Sequence, residues 1–71
     1  MNRIYRVSGL RSAGSASIVA RAISALQTNL HVRVDVEEGL VKVDGPVSDY
    51  QVASAVKSAG CNYLGLFGTE D

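Results

Sequence analysis

Cysteine and aromatic residues are scarce in this sequence. Cysteine occurs once in 71 residues, as Cys61, so an intramolecular disulfide is excluded, and with it any disulfide-stapled scaffold. Cys61 is therefore either a small packing residue or a group that acts between molecules. The sequence has no tryptophan, one phenylalanine and three irregularly spaced tyrosines, for which we expect core-edge or surface packing.

Long apolar runs and a net charge are also missing. No segment approaches the roughly 20 apolar residues of a membrane-spanning helix, and residues 1–6 lack the apolar run of a signal peptide. We therefore expect no membrane span and, by default, a cytoplasmic location. Seven basic and seven acidic residues cancel and are interspersed. Because phosphate binding needs a clustered basic face, we expect no nucleic-acid partner.

The residues that are present describe one small globular domain. Apolar residues make up 46% and charged residues 20% of the chain, close to globular averages. At this length only about 60% of the unfolded surface can be buried, so the core must be compact. We expect a single domain over residues 1–71, with its core at about 3–67 and a frayed tail at 68–71.

The first third of the chain predicts a strand and a helix. Residues 3–8 alternate as in a strand, with Tyr5 and Val7 on one face. Residues 15–27 are predicted to be helical, and Ser15 is the expected N-cap. Spacings of three and four residues form the apolar stripe of this helix, which consists of Val19, Ala22, Ile23 and Leu26.

The middle of the chain predicts a β-hairpin. Residues 31–36 and 40–44 alternate valines with other residues, as half-buried strands do. A two-residue loop with Glu37 opposite Leu40 is predicted, because every other pair is then favourable and a one-residue slip would oppose valines to charges. Those pairs are Val36 with Val41, Asp35 with Lys42, Val34 with Val43 and Arg33 with Asp44.

The last third predicts a second helix and a last strand. Gly45-Pro46 ends the preceding strand, and Ser48 with Gln51 three residues later forms a capping box. The helix is predicted to continue to Ala59, and Gly60 supplies the positive φ expected after a helix end. Residues 62–67 are then expected to form a strand.

These elements together predict an α+β fold in the order β-α-β-β-α-β. This ferredoxin-like arrangement packs two helices on one face of a four-stranded antiparallel sheet. The other face is expected to be solvated, and it is predicted to carry Arg6, His31, Arg33, Asp35, Lys42 and Asp44. These positions mix charge signs and lack the stacking aromatics of RNA-recognition modules. A lone His31 on this face is expected to be solvated, since metal sites need several ligands.

The loop between the first strand and the first helix resembles the metal loop of heavy-metal-associated domains. That family of copper chaperones, mercury-binding proteins and P-type ATPase N-terminal modules carries Gly-Met-x-Cys-x-x-Cys at this place. This sequence has Gly9, Leu10 and Arg11, with Ser12 and Ser15 at the two cysteine positions. The resemblance therefore implies a degenerate metal loop made of Gly9, Leu10, Arg11, Ser12 and Ser15.

The resemblance covers roughly residues 4–63. The valines of the predicted hairpin and the sequence Ala55-Val56-x-x-Ala59-Gly60 are similar to the family's core pattern. Two further positions depart from it: the Pro-Gly-Val turn is Thr28-Asn29-Leu30, and the tyrosine after Gly60 is Cys61. Whether the two serines are natural or engineered is left open.

Soft ions such as copper(I) select thiolates, whereas serine hydroxyls are hard and stay protonated. We therefore expect no cofactor and no two-thiol metal site, and we interpret the chain as a non-catalytic interaction or regulatory module related to metal trafficking. The resemblance implies a protein partner such as a metal-transport ATPase or chaperone domain. It also implies a docking surface composed of Arg11, Ser12, Ala13, Gly14, Ser15 and Cys61.

Three alternatives stay open at this point. Because the resemblance places Cys61 beside the loop, Cys61 is a candidate soft-metal ligand, alone or shared across a homodimer. The N-terminus of the first helix is a candidate anion site, although capping explains the same residues. Residues 38–47 are also similar to the strand pattern of lipid-associated BON domains, which would imply a small-ligand or membrane-associated module. No nucleophile and base set is recognisable, so we expect no enzyme.

Overall fold

A computed structural model describes residues 2–70 of the chain. The elements are β1 (Asn2–Ser8), α1 (Ala13–Ser24), β2 (His31–Asp35), β3 (Leu40–Asp44), α2 (Asp49–Ser58) and β4 (Asn62–Glu70). The strands form one antiparallel sheet in the order β2-β3-β1-β4. The predicted ferredoxin-like fold is confirmed. No helix among residues 2–70 is long and apolar enough to cross a membrane.

The core lies between the helices and one face of the sheet. Each strand alternates, so that in β1 Tyr5 and Val7 are buried while Arg6 between them is exposed. Val19 and Ile23 of α1, four residues apart, are fully buried against this face. The remaining fully buried side chains come from β3 and α2 and are Val41, Val43, Val52 and Val56.

Helix α1 begins earlier than predicted, and Ser15 is not its N-cap. Ser12 is the N-cap, with an extended backbone (φ −163°), and the amide of Ala16 donates to its carbonyl at 3.1 Å. Ser15 therefore lies inside the first turn. The helix also ends at Ser24 instead of Gln27, because the amide of Leu26 bonds only three residues back, to Ile23. Such a tightened turn is usual at a helix end.

The hairpin is present, but its predicted register is wrong by two residues. Asp35 pairs with Leu40 and Val34 with Val41, so residues 36–39 form a four-residue loop. The amide of Glu38 donates to the Asp35 carboxylate at 3.1 Å and the Gly39 amide to the Asp35 carbonyl at 2.9 Å. This turn, with Gly39 at φ +66°, outweighs the charge pairing that the predicted register offered.

Helix α2 follows its sequence signals. The hydroxyl of Ser48 accepts from the amide of Gln51 at 3.1 Å, and the Gln51 side chain accepts from the amide of Ser48 at 3.0 Å. This reciprocal pair confirms the predicted capping box. Gly60, just beyond the C-cap Ala59, has φ +87°, as expected after a helix end.

The predicted frayed tail is wrong for residues 68–70. Gly68, Thr69 and Glu70 continue β4 and pair with Ile4, Arg3 and Asn2 of β1, while Asp71 lies outside the described residues. The Glu70 carboxylate also lies 3.7 Å from the Lys42 ammonium. Composition alone suggested fraying here, but the neighbouring strand β1 supplies the missing hydrogen-bond partners.

Candidate metal loop and docking surface

The candidate loop joins β1 to α1 and packs against the turn before β4. Gly9 has φ +92°, and a Cβ built on it would lie 3.5 Å from the Cα and 3.9 Å from the Sγ of Cys61. The positive φ favours glycine at this position, whereas a Cβ would make only ordinary van der Waals contact with Cys61. The structure therefore brings the first residue of the loop and the only thiol of the chain together.

Cys61 is a packed residue in this arrangement. Its side chain is 6% exposed and belongs to the hydrophobic core cluster. Its amide donates to the carbonyl of Val56 at 3.1 Å, which holds the turn after α2 against the helix end. An open groove lined by Ala53, Lys57, Cys61, Asn62 and Tyr63 runs alongside it. The thiol therefore lies just beneath the surface, next to the loop.

The loop and the first turn of α1 are largely exposed. Arg11, Ser12, Ala13 and Gly14 are exposed, Ser15 is half-buried, and Leu10 packs against the core from a half-buried position. The side chain of Ser12 makes no capping hydrogen bond. The residues of the predicted docking surface thus form a continuous exposed segment, and Cys61 lies behind Gly9 at its edge.

The donor set of this loop does not suit a soft metal. Its two candidate ligands, Ser12 and Ser15, carry hydroxyls, which are hard and remain protonated at neutral pH. Nowhere in residues 2–70 do three or more histidine, cysteine, aspartate or glutamate side chains cluster as a metal site requires. His31 is exposed on β2, as predicted. Cys61 alone is therefore the soft donor near the loop.

Sequence reasoning missed a polar cluster that joins β1 to the start of α2. The Asp49 carboxylate accepts from the Tyr5 hydroxyl and from the Arg3 guanidinium, each at 3.0 Å. Burial raises the pKa of Tyr5, and burial likewise raises the pKa of Tyr63, whose ring centroid lies 5.9 Å from that of Tyr5. More than 40 residues separate these partners, so no local pattern could have revealed them.

The other predicted sheet-face residues lie where the sequence placed them. Arg6, His31, Arg33 and Asp35 are exposed, and Lys42 and Asp44 are half-buried. The same face or its edge also carries exposed apolar residues that the prediction omitted, namely Leu64, Leu66 and Phe67. Leu64 and Phe67 are the extra residues of two bulges in β4, and a bulge leaves no reliable signal in a single sequence, whereas Leu66 pairs with Tyr5.

Several solved structures resemble this chain along nearly their whole length. The N-terminal domain of ZntA in its Zn(II) form is 27% identical, with a TM-score of 0.83 and coverage of 97% of this chain and 96% of that domain. A gold binding protein is 30% identical, with a TM-score of 0.76 and coverage of 87% and 98%. The copper chaperone Atx1 from Synechocystis PCC6803 shares the fold at 21% identity, with a TM-score of 0.81 and coverage of 86% and 97%.

The family comparison agrees with these structures. No curated protein matches the chain. The model of the heavy-metal-associated domain matches residues 4–63, which include the loop, both helices and the strands up to the start of β4. The chain therefore belongs to the heavy-metal-associated domain family.

Proposed function

We propose that this chain is a non-catalytic member of its family, with a degenerate metal loop, that acts by docking to another protein of metal trafficking. The carrying observation is the chemistry of the loop: it presents hydroxyls at Ser12 and Ser15, while the only thiol is buried at Cys61. The fold that presents the loop is otherwise complete. The chain therefore keeps a surface for contact with a partner protein but lacks the thiolate ligands that bind a soft metal ion.

The relatives support the connection with metal trafficking. Their descriptions name a copper chaperone, a gold binding protein and a domain in its Zn(II) form. Family domains of chaperones and transport ATPases contact one another, so such a domain is the partner that we propose. A copy that docks without carrying metal would compete with loaded chaperones or regulate the ATPase.

The proposed docking surface consists of Arg11, Ser12, Ala13, Gly14, Ser15 and Cys61. Its exposed part continues along α1 to Ile18, whose side chain is 54% exposed although it is large and apolar. An arginine and an exposed large apolar side chain on one surface are consistent with a protein interface, since interfaces are enriched in arginine. Buried Cys61 would support Gly9 from behind instead of meeting the partner.

A copper(I) titration against a chromogenic chelator tests the loss of metal binding. We expect the wild-type chain and the Cys61→Ser variant to leave copper(I) with the chelator equally, because no loop thiolate competes for it. Stoichiometric binding by the wild-type chain that disappears in Cys61→Ser would instead establish the alternative, a carrier that uses Cys61 alone or across a dimer. The proximity of Cys61 to Gly9 is the observation that favours this alternative.

Nuclear magnetic resonance titration with the N-terminal domain of ZntA tests docking. We expect amide shift changes confined to residues 9–18 and the turn at Cys61. Arg11→Glu should weaken the interaction severalfold, since reversal of an interface charge opposes association. Arg21→Glu is the matched control, because Arg21 is exposed near the other end of the same helix. Shift changes confined to another surface would contradict the proposed one.

The lipid-associated alternative has lost its basis. Residues 38–47, which suggested a BON-like strand, form the end of the hairpin loop, β3 and the turn before α2. They lie inside the segment that the heavy-metal-associated model matches. Absence of co-sedimentation with phospholipid vesicles is the expected result.

A further inference from the structure

Strand β4 lies at one edge of the sheet and carries an apolar surface that the proposed docking does not use. It is nine residues long and has β1 as its one neighbouring strand. Its residues Leu64, Leu66 and Phe67 are 60%, 48% and 58% exposed. Soluble proteins normally protect an edge of this kind with charges, prolines, bulges or short strands, because its free backbone groups can pair with another chain. Strand β4 has two bulges in its pairing with β1, but residues 62–69 contain neither a charge nor a proline.

The two bulges of β4 determine where its apolar side chains lie. In the pairing with β1, Leu64 is the extra residue between Tyr63 and Gly65, and Phe67 is the extra residue between Leu66 and Gly68. The ring of Phe67 packs 5.8 Å from the guanidinium carbon of Arg6, which places it on the open face of the sheet. Each of the two extra residues is therefore followed in the sequence by a glycine of β4.

We propose that β4 pairs with β4 of a second copy of this chain, antiparallel and centred on a two-fold axis at Leu66. This register sets Leu66 opposite Leu66 of the partner subunit, Gly65 opposite the partner's Phe67, and Leu64 opposite the partner's Gly68. A Cβ built on Gly65 or Gly68 meets no atom within 4 Å, so each glycine leaves open space for the large side chain that faces it. An aromatic or aliphatic residue opposite a glycine is a favourable cross-strand arrangement.

The alternation of the sheet is consistent with this register along the whole strand. Tyr63 and Thr69 pair with Val7 and Arg3 of β1, which both belong to the helix side, and they would face each other. Asn62 and Glu70 pair with Ser8 and Asn2, which both belong to the other side, and they would also face each other. A shift by one residue would oppose side chains from different faces.

Charge favours the antiparallel orientation over the parallel one. Strand β4 begins at the uncharged Asn62 and ends at the acidic Glu70. Antiparallel pairing separates the two Glu70 carboxylates and sets each opposite the uncharged Asn62 of the partner subunit, whereas like charges directly opposite are destabilising. Parallel pairing would place like ends together.

Sedimentation velocity between about 10 μM and about 1 mM tests the dimer. We expect a concentration-dependent monomer–dimer equilibrium in metal-free buffer. Leu66→Lys should raise the dissociation constant by about tenfold or more, because two like charges would meet directly at the axis. Thr28→Lys is the control, since Thr28 is exposed in the turn before β2, at the other edge of the sheet from β4, and should leave the equilibrium unchanged.

Cross-linking provides a second measurement that does not depend on weakening the dimer. In a chain that also carries Cys61→Ser, Leu66→Cys should oxidise to a covalent dimer, because directly opposed antiparallel residues have the Cα separation that a disulfide needs. Thr28→Cys in the same background should stay monomeric. A monomer at every concentration with no Leu66→Cys cross-link would overturn the proposal, as would a dimer that survives Leu66→Lys but disappears with Cys61→Ser.

Discussion

At the scale of single residues, Asp49 links the first strand to the second helix. One carboxylate oxygen accepts from both Tyr5 and Arg3, and Arg3 also donates to the carbonyl of Val47 at 3.3 Å. Tyr5 is completely buried, so its hydroxyl needs a partner inside the fold. Asp49 supplies that partner from the first turn of α2, where a negative charge also suits the helix dipole.

Removal of this carboxylate should destabilise the domain through Tyr5. We expect Asp49→Ala to lower the free energy of unfolding by about 1 kcal/mol or more, since it leaves a buried hydroxyl without an acceptor. Asp49→Asn should cost less, because its side-chain oxygen still accepts. Urea unfolding measures both, with exposed Glu37→Gln as control. Equal losses for Asp49→Ala in the wild-type and Tyr5→Phe backgrounds would contradict the coupling.

The raised pKa of Tyr5 predicts that the domain loses stability at alkaline pH. Burial, reinforced by the hydrogen bond to Asp49, raises the pKa of Tyr5 above the ordinary 10.0, although Arg3 opposes this. The unfolded chain therefore loses its phenolic proton first, and the free energy of unfolding should fall as pH rises through the unfolded and then the folded pKa. Urea unfolding between about pH 9 and about pH 12 should show a shallower fall for Tyr5→Phe than for wild type. The matched variant is Tyr50→Phe, whose side chain is 82% exposed, and an equal effect of both substitutions would contradict the role of burial.

At the scale of secondary-structure elements, the two helices begin in different ways. Helix α2 has a complete capping box, whereas the Ser12 side chain at the start of α1 makes no capping bond. We expect Ser48→Ala to lower the free energy of unfolding by about 1 kcal/mol, the usual value for a lost cap. Ser12→Ala should cost clearly less. Thermal and urea unfolding compare the two serines, and equal losses would show that Ser12 caps in solution.

The sequence predicts those elements whose signals are local. The capping box of α2 and the stop at Gly60 involve neighbours three to four residues apart, and both are confirmed. The predicted hairpin register was wrong because the favoured charge pairs are surface interactions of small energy, whereas the Asp35 turn satisfies the backbone amides of Glu38 and Gly39. A shift by two residues keeps every valine inward, so hydrophobic alternation could not distinguish the two registers.

The candidate site also combines features that local sequence signals predict with features that depend on tertiary packing. Family resemblance predicts a candidate loop at residues 9–15, since its glycine and the following helix are sequence features. The burial of Cys61 and its contact with Gly9 depend on how α2 and β4 pack, which no local pattern encodes. The link from Asp49 to β1 was missed for the same reason.

At the scale of the whole molecule, the fold and the metal chemistry are separable. The described core contains neither Ser12 nor Ser15, so residues at the two candidate ligand positions contribute little to packing. A domain of this kind can lose its ligands without losing its shape. Conversely, cysteines introduced at these two positions would be held by a fold whose packing does not depend on them.

Restoration of the thiols is therefore the sharpest test of a degenerate loop. The double variant Ser12→Cys, Ser15→Cys should bind copper(I), since a helix N-terminus favours thiolates and soft ions select them. At a free metal concentration of about 100 times Kd, binding should add about 2.7 kcal/mol to the free energy of unfolding. For a domain of this size each kilocalorie raises Tm by roughly 4–8 °C, which calorimetry detects directly.

The control is Ser17→Cys, Ser24→Cys, which places two thiols at exposed positions two turns apart on the same helix and should give no comparable response. A metal response equal in both double variants would mean that the loop offers no prepared geometry, and the interpretation of residues 9–15 as a former metal site would then be wrong.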